Sequence, residues 1–293
     1  LQGLERYNVL YTGNSKTTGP ELGVSGTNIQ GLNNLTVSLA SGQTLTLDQS
    51  RAPDGDLSIT SGTFNLSTFT INRSSSGGMI SISNDSKLRI GGTNPAPSGY
   101  SSRLYGTTST VEYYGGAQSL GAEAFGHLLV SAGTKATTGN ITLAGNFTCN
   151  TGAVVNSTHN WTAAGQWTVN GTFTQTAGMT TFSTGATHEI SGSGSSQFYA
   201  LASSQSTINA NAHTISISEN WSHGSGGVFN AMTSKVTFNG AGNQTQPAAA
   251  FVPSFYNLVI NKTGGTLSSR VWTVSNDFQL IQGSFAPEST SSF

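Results

Sequence analysis

ITLAGNFTCNTG at 141–152, WTVNGTFTQTAG at 167–178, ISISENWSHGSG at 215–226 and WTVSNDFQLIQG at 272–283 are four versions of one twelve-residue phrase. Each opens on a large apolar residue, has another at the third place, Phe or Trp at the seventh and Gly at the twelfth. Their starts, at Ile141, Trp167, Ile215 and Trp272, are separated by close to one, two and a little over two multiples of a unit of about 24 residues. A sequence that repeats one phrase at such intervals builds a stack of similar coils.

Two further elements travel with the phrase. Phe125-Gly-His-Leu128 stands ahead of Ile141, Phe198-Tyr-Ala-Leu201 ahead of Ile215 and Phe255-Tyr-Asn-Leu258 ahead of Trp272, at a spacing that varies by a single position. VEYYGGAQ (111–118), HEISGSGSSQ (188–197) and VTFNGAGNQ (236–244) come before those in turn. The unit runs from V-x-F-x-G-x-G-x-Q through F-x-x-L to W-T-V-x-x-x-F, and ends in G-x-F at Gly227–Phe229 and Gly283–Phe285.

Inside the phrases apolar residues alternate with hydroxyls, as in ITL, FTC, WTV, ISIS and VTF. Period-two alternation of β-branched and aromatic residues predicts strands, and no 3.6-residue period is sustained, so helix should be nearly absent. The stretch 57–90 follows the same logic more loosely, with Leu57, Ile59, Phe64, Leu66, Phe69, Ile71, Ile80, Ile82, Leu88 and Ile90 expected inward. Glycine clusters mark corners, and Asn84, Asn146 and Asn170 are expected to stack at similar corners. The expected fold is all-β, a parallel β-solenoid of about 24-residue coils, roughly twelve of them, forming a rod on the order of 55–60 Å long. The alternative is a string of β-sandwich domains, which would not repeat a phrase over an interval as short as that from Ile141 to Trp167. Residues 1–28 depart from the pattern and read as an N-terminal cap or linker. The solenoid is expected over 29–293, continuing past the last residue given.

Charged residues are 8% of the chain and the net charge is −1, against about a quarter charged in ordinary domains. Between Ala136 and Ser218 the only charged side chain is Glu189. Nucleic acid as a partner needs a basic stripe that is missing here. No apolar run reaches membrane-spanning length. The opening LQGLERYNVL has neither the basic nor the apolar segment of an export signal, which is expected to be gone already. The single Cys149 reads as a small buried hydrophobe.

VTFNGAGNQ, SFYNLVINKTGGT and WTVSNDFQLIQGSF resemble the repeats of very large bacterial cell-surface proteins of the adhesin and autotransporter-passenger type. The resemblance covers 111–293 well and 29–90 loosely. It implies an exported, elongated, right-handed β-solenoid, extracellular or on the cell surface, with a role in adhesion or fibre formation. It supplies no catalytic residues. The expected function is therefore non-enzymatic: a rigid segment of an adhesin or of a self-assembling fibre, whose partners are other copies of itself and a surface polysaccharide. The alternative is a carbohydrate-active β-helix enzyme or a tailspike-like polysaccharide binder, which needs carboxylates converging on one face.

The five Asp and seven Glu are thinly spread. The one dense group is Asp48, Asp54 and Asp56 with Arg51, where loop oxygens offer a candidate Ca²⁺ site or an acid/base pair, the alternative being a solvated polar loop; no other cofactor is expected. The five histidines never fall at metal-ligand spacing, and His188 and His213 are expected in surface or stacking roles. Trp167, Trp221 and Trp272 replace Ile and Phe at repeat positions and should be core. Together with Trp161, Tyr199 and Tyr256 they offer a sugar-stacking face as the alternative. Tyr113, Tyr114, Tyr199 and Tyr256 are expected to face outward, the stripe where a ligand surface would lie. Twelve N-x-S/T triplets occur, little above chance for a chain this rich in Ser and Thr.

Overall fold

Short strands, mostly of three to six residues, follow one another at Gly, Asn and Ser corners, and among the described residues the only helical element is one 3₁₀ turn at Pro20–Leu22. The computed structural model describes residues 6–23, 31–183, 185–203, 205–223, 226–245, 253–269, 272–287 and 291–292. Every strand pairing among them is parallel and joins a strand to its counterpart one coil further on. Although the ladders connect around the molecule, they are a stack and not a barrel. The fold is an all-β parallel solenoid of about 12 turns.

Among the described residues four long ladders make up most of the stack. The first contains Arg6–Gly13, Gly31–Leu39, Leu57–Ser61, Gly77–Ile82 and Tyr100–Tyr105. The second starts at Lys16–Thr17, passes through Lys87–Ile90 and Trp167–Val169, and reaches Ser254–Ser268. The third begins only at Gln118–Leu120 and runs to Thr273–Ala286. The fourth holds Glu123–Phe125, Ile141–Leu143, Trp161–Ala163, Met179–Phe182, Ala200–Ser203 and Trp221–His223. Coils before Tyr105 therefore carry two strands and close their third side with a connection. Coils after Gln118 carry three.

The first and fourth ladders do not pair with each other among the described residues. Between Tyr100–Tyr105 and Glu123–Phe125 the seam is bridged by side chains. Arg103 lies 3.5 Å from Glu123, and the rings of Tyr105 and Phe125 stack with centroids 5.9 Å apart.

The repeated phrase turns out to be a strand–corner–strand unit that does not stack on its own copies. Ile141 opens a fourth-ladder strand, Trp167 a second-ladder strand and Ile215 a third-ladder strand. The coil length consequently differs from the spacing of the phrases. Successive partners in the fourth ladder, Glu123, Ile141, Trp161, Thr180, Leu201 and Trp221, recur at about 20 residues per coil, the short end of the range for stacked repeats. In the first ladder the steps through Thr36, Ser58, Ser81 and Leu104 are longer by two or three.

One residue in two points inward, and the inward rows form one continuous core. Before Tyr105 it is aliphatic, built on Leu35, Val37, Leu45, Leu57, Ile59, Ile80, Leu88 and Ile90, with Phe64 among them. All the inward positions expected over 57–90 are buried except Phe69, which packs half-buried against the rest. In the three-strand coils the core turns aromatic. Trp167 lies 4.4–5.9 Å, centroid to centroid, from Phe147, Trp161, Phe173, Phe182 and Phe198. A second cluster joins Trp221, Phe229, Phe238, Phe255 and Trp272. Residues 6–17 already occupy the first layers of both N-terminal ladders. Of the expected cap or linker, residues 1–5 and 24–28 lie outside the described residues.

Candidate functional site

The loop DQSRAPDGD does not hold its aspartates free. Asp48 accepts hydrogen bonds from Thr18 Oγ1 and from Arg51 Nη2, the latter at 2.7 Å. Arg51 is almost fully buried and also donates to the Gly19 carbonyl. Burial pushes the Asp48 carboxyl up, but the Thr18 hydroxyl and Arg51 outweigh it and hold it below its usual range. Asp54 accepts from Ser74 Oγ at 2.7 Å, and its second oxygen lies 3.8 Å from Arg6. Asp56 accepts the Met79 N–H at 2.8 Å. Each carboxylate is committed to a different part of the connection. Among the described residues no group of three or more His, Cys, Asp or Glu is placed to hold a metal ion.

The strongest polar cluster is not visible in the sequence. Glu112, 6% exposed, accepts from Arg89 Nε and Nη2 at 2.9 and 3.2 Å and from Ser131 Oγ at 2.7 Å, with Lys87 at 3.5 Å. Burial raises its carboxyl, yet Arg89, Ser131 and Lys87 together pull it below the ordinary range. Arg89 also covers the Tyr114 ring at 4.5 Å, and the Tyr114 hydroxyl donates to Asn65. Adjacent residues of the ladder place these groups on one row, since Asn65, Arg89 and Glu112 are register partners. Parallel stacking creates such rows; single-sequence spacing does not reveal which residues share them.

Two lysines show a second device. Lys135 is completely buried and its Nζ donates to the Gly115 and Gly116 carbonyls at 2.9 and 2.8 Å. Burial pulls its ammonium down to about 8. Lys262 donates to the Gly240 and Gly242 carbonyls at 3.2 and 2.8 Å and to Gln244 Oε1 at 2.6 Å. Burial lowers it as well. In the middle unit His213 Nδ1 takes the equivalent place on the Gly192 carbonyl at 2.9 Å. At these corners a side chain from the next coil thus meets glycine carbonyls that no strand reaches. His188 is also interior, facing the Gly165 and Ser183 carbonyls at 3.0 Å. The surface roles expected of these two histidines are therefore replaced by buried capping roles.

Asparagine corners work in the same sense. Asn84, Asn146 and Asn170 do not stack amide on amide. The Oδ1 of each accepts a backbone N–H of the next coil, from Thr108, Gln166 and Ser193 at 3.3, 2.9 and 3.1 Å. Asn34, Asn140, Asn160 and Asn243 repeat it. The N-x-S/T triplets are in large part this corner.

Trp161, Trp167, Trp221 and Trp272 are all core, so Trp161 offers no stacking face. Tyr113, expected outward, is fully buried because its row is the inward one of the strand Thr110–Tyr113. Tyr114, Tyr199 and Tyr256 are half-buried. Cys149 is buried and its thiol pushed up to about 11 by burial. Among the described residues, cavities of about 300 Å³ beside Phe229, Met232 and Phe255 and of about 320 Å³ at the corners around Ser61 and Asp85 border the stack. No helix among the described residues is long and apolar enough to cross a membrane. The chain matches no family model, no curated protein and no solved structure.

Proposed function

We propose that this chain is a non-enzymatic, extracellular structural segment: a stiff length of a cell-surface adhesin or of a self-assembling surface fibre, wound as a right-handed coil. The observation that supports this reading is the union of two features. Parallel pairing is continuous from Lys16 to the strand starting at Ser254, and the flank over 136–218 carries Glu189 as its only charge. Stacked coils with one continuous core resist bending and local opening. A flank that carries hydroxyls and amides in place of charges offers little like-charge repulsion to lateral association.

The test is negative-stain electron microscopy of the native material at neutral pH, with and without chelator. Thin uniform rods, associated side by side or end to end, are the expected image, unchanged by chelator. Compact particles that depolymerise a polysaccharide would replace this reading with the enzyme.

A further inference from the structure

We infer that the corner cavity of the two-strand coils is a binding site for a neutral saccharide. It lies where the chain passes from the first ladder to the second on three successive coils, and measures about 320 Å³, within the range of small-ligand sites. Ser41, Ser61, Thr63, Asn84, Asp85 and Lys87 border it. The three corners are built alike, with positive φ at Gly42 (75°), Gly62 (79°) and Asp85 (61°). Gly42 faces open space and Gly62 lets its corner pack closely on Leu39 and Gln43 of the coil before it; the third corner places a carboxylate at the cavity. Asp holds a left-handed conformation more readily than most residues, so this corner can carry a charged group without strain on the fold.

Asp85 is the odd carboxylate of this half. Glu21, Asp48, Asp54, Asp56, Glu112 and Glu123 each have a hydrogen-bond or ion-pair partner. Asp85 is exposed and has none among the described residues. The Ser86 hydroxyl, buried at the border of the same cavity, is also without a partner. Lys87 supplies a donor on the other side, and Asn84, whose Oδ1 is taken by Thr108, keeps its amide nitrogen for a ligand.

The chemistry selects a polyol. A carboxylate accepts from two neighbouring hydroxyls, an ammonium and an amide donate to ring or hydroxyl oxygens, and Ser and Thr do either. Charge argues against phosphate or sulfate, because Asp85 repels them and Lys87 is shared with Glu112 at 3.5 Å. An apolar ligand would leave these groups dry and unpaired. The site rests on the adhesive reading for its purpose, since a single shallow site gains useful strength from many copies along a surface.

The experiment is isothermal titration of the whole chain with neutral gluco-, galacto- and manno-configured oligosaccharides, and with a sulfated one, at physiological salt. Saturable binding of a neutral sugar with Kd on the order of 1 mM is expected. Asp85→Asn, which keeps the corner conformation, should weaken it about tenfold or more. Ser41→Trp, at an exposed position, should fill the cavity and abolish binding. Thr142→Trp, on the exposed row of the fourth ladder, should change nothing. Matching far-UV spectra and melting temperatures show that the variants fold. Absence of saturation by every neutral sugar, binding that survives both groove variants, or tighter salt-sensitive binding of the sulfated sugar overturns the inference. None of these outcomes bears on the rods expected by microscopy, so the site and the structural reading fail separately.

Discussion

Coils before Tyr105 and coils after Gln118 solve the same problem with different means. Both must satisfy the backbone on every side of the turn. In the three-strand coils, strands do this along the sides, buried side chains such as Lys135 and Lys262 serve the corners, and most outward side chains are free to be hydroxyls. In the two-strand coils the third side is an irregular connection, and side chains must reach its carbonyls. Arg51 bonds Gly19, Arg73 bonds Gly55 and Ser75, Arg103 bonds Pro97, Asn94 bonds Thr68 and Phe69, and Tyr100 bonds Ile71. Charge follows irregular backbone: 14 of the 23 charged residues lie before Gln118. The near-absence of charge further on records a regular ladder there.

The cores differ in parallel with the backbones, and this gives the largest effect. Trp167→Ala removes a ring packed on five others and should cost about 3–5 kcal/mol. Ile80→Val in the aliphatic half should cost about 0.5–1.5 kcal/mol. Because each coil rests only on its neighbours, hydrogen exchange should show the tryptophan variant opening around 147–198 while 35–90 stays protected. The Cys149 thiol, buried and raised to about 11, should react with thiol reagents only in the tryptophan variant. Equal loss of protection in both halves would show one cooperative unit and erase the distinction.

How far the sequence announces this contrast depends on the kind of signal. Alternation in ITL, WTV and ISIS is local, so strands, core tryptophans and the stacked-coil class are legible in it. Register is not local. The phrase copies suggest a coil of about 24 residues, yet they fall on three different ladders. The partners of Asn65, Arg89 and Glu112 follow from stacking alone. Tyr113 is misplaced by sequence reasoning because VEYY offers two adjacent tyrosines, and pairing with Ile90 decides which one is inward. Lys135 and Lys262 occupy different offsets from their F-x-x-L elements, so no repeat alignment links them. The three aspartates are dense in sequence, while the fold gives each a different partner.

Acid should separate the halves next. Glu112, Glu21 and Asp48 are all held below the usual carboxylate range, Glu112 against the raising effect of its own burial. Such groups contribute stability above their unfolded pKa, and it is lost as pH falls through about 4.5 toward the folded value. Lowering pH from 7 to 3 should therefore loosen 6–112 before 136–218, where Glu189 is the only carboxylate. Glu112→Gln should cost about 2–3 kcal/mol at pH 7 and much less at pH 3. Glu123 works in the opposite sense. Burial raises it, so its contribution is best in acid and weakens as pH rises through its folded value. A three-strand half that opens first in acid would contradict the assignment.

Alkali should act mainly on the three-strand side. Lys135 falls to about 8 in the fold, against about 10.4 for a free lysine. The unfolded chain then binds more protons between those values, so Lys135 contributes a rise in stability as pH climbs from about 8 to 10.4. The Cys149 thiol, raised to about 11, opposes it above about 8.5, so the rise is read in a Cys149→Ala background. Lys135→Met should abolish the rise and cost about 1–3 kcal/mol at pH 7 by leaving two carbonyls unpaired. Thermal melts at pH 7.5 and 10 measure both. A flat profile with Lys135 intact and Cys149 replaced would mean that the corner carbonyls hold the ammonium more firmly than burial discourages it.

The smallest effect tests what the halves share. Asn34 Oδ1 accepts the Asp56 N–H at 2.7 Å in a two-strand coil, and Asn146 Oδ1 accepts the Gln166 N–H at 2.9 Å in a three-strand coil. Both corners tie one coil to the next through a single amide oxygen, whatever the sides are made of. Asn34→Ala and Asn146→Ala should each cost about 0.5–1.5 kcal/mol, equal within the error of a denaturant melt, and Asn→Asp should recover most of the loss by keeping the acceptor. Equal costs would place the difference between the halves in their sides and cores alone. A clearly larger cost at Asn34 would mean that the irregular connection leans on its corner, and that the two-strand coil is weaker there as well.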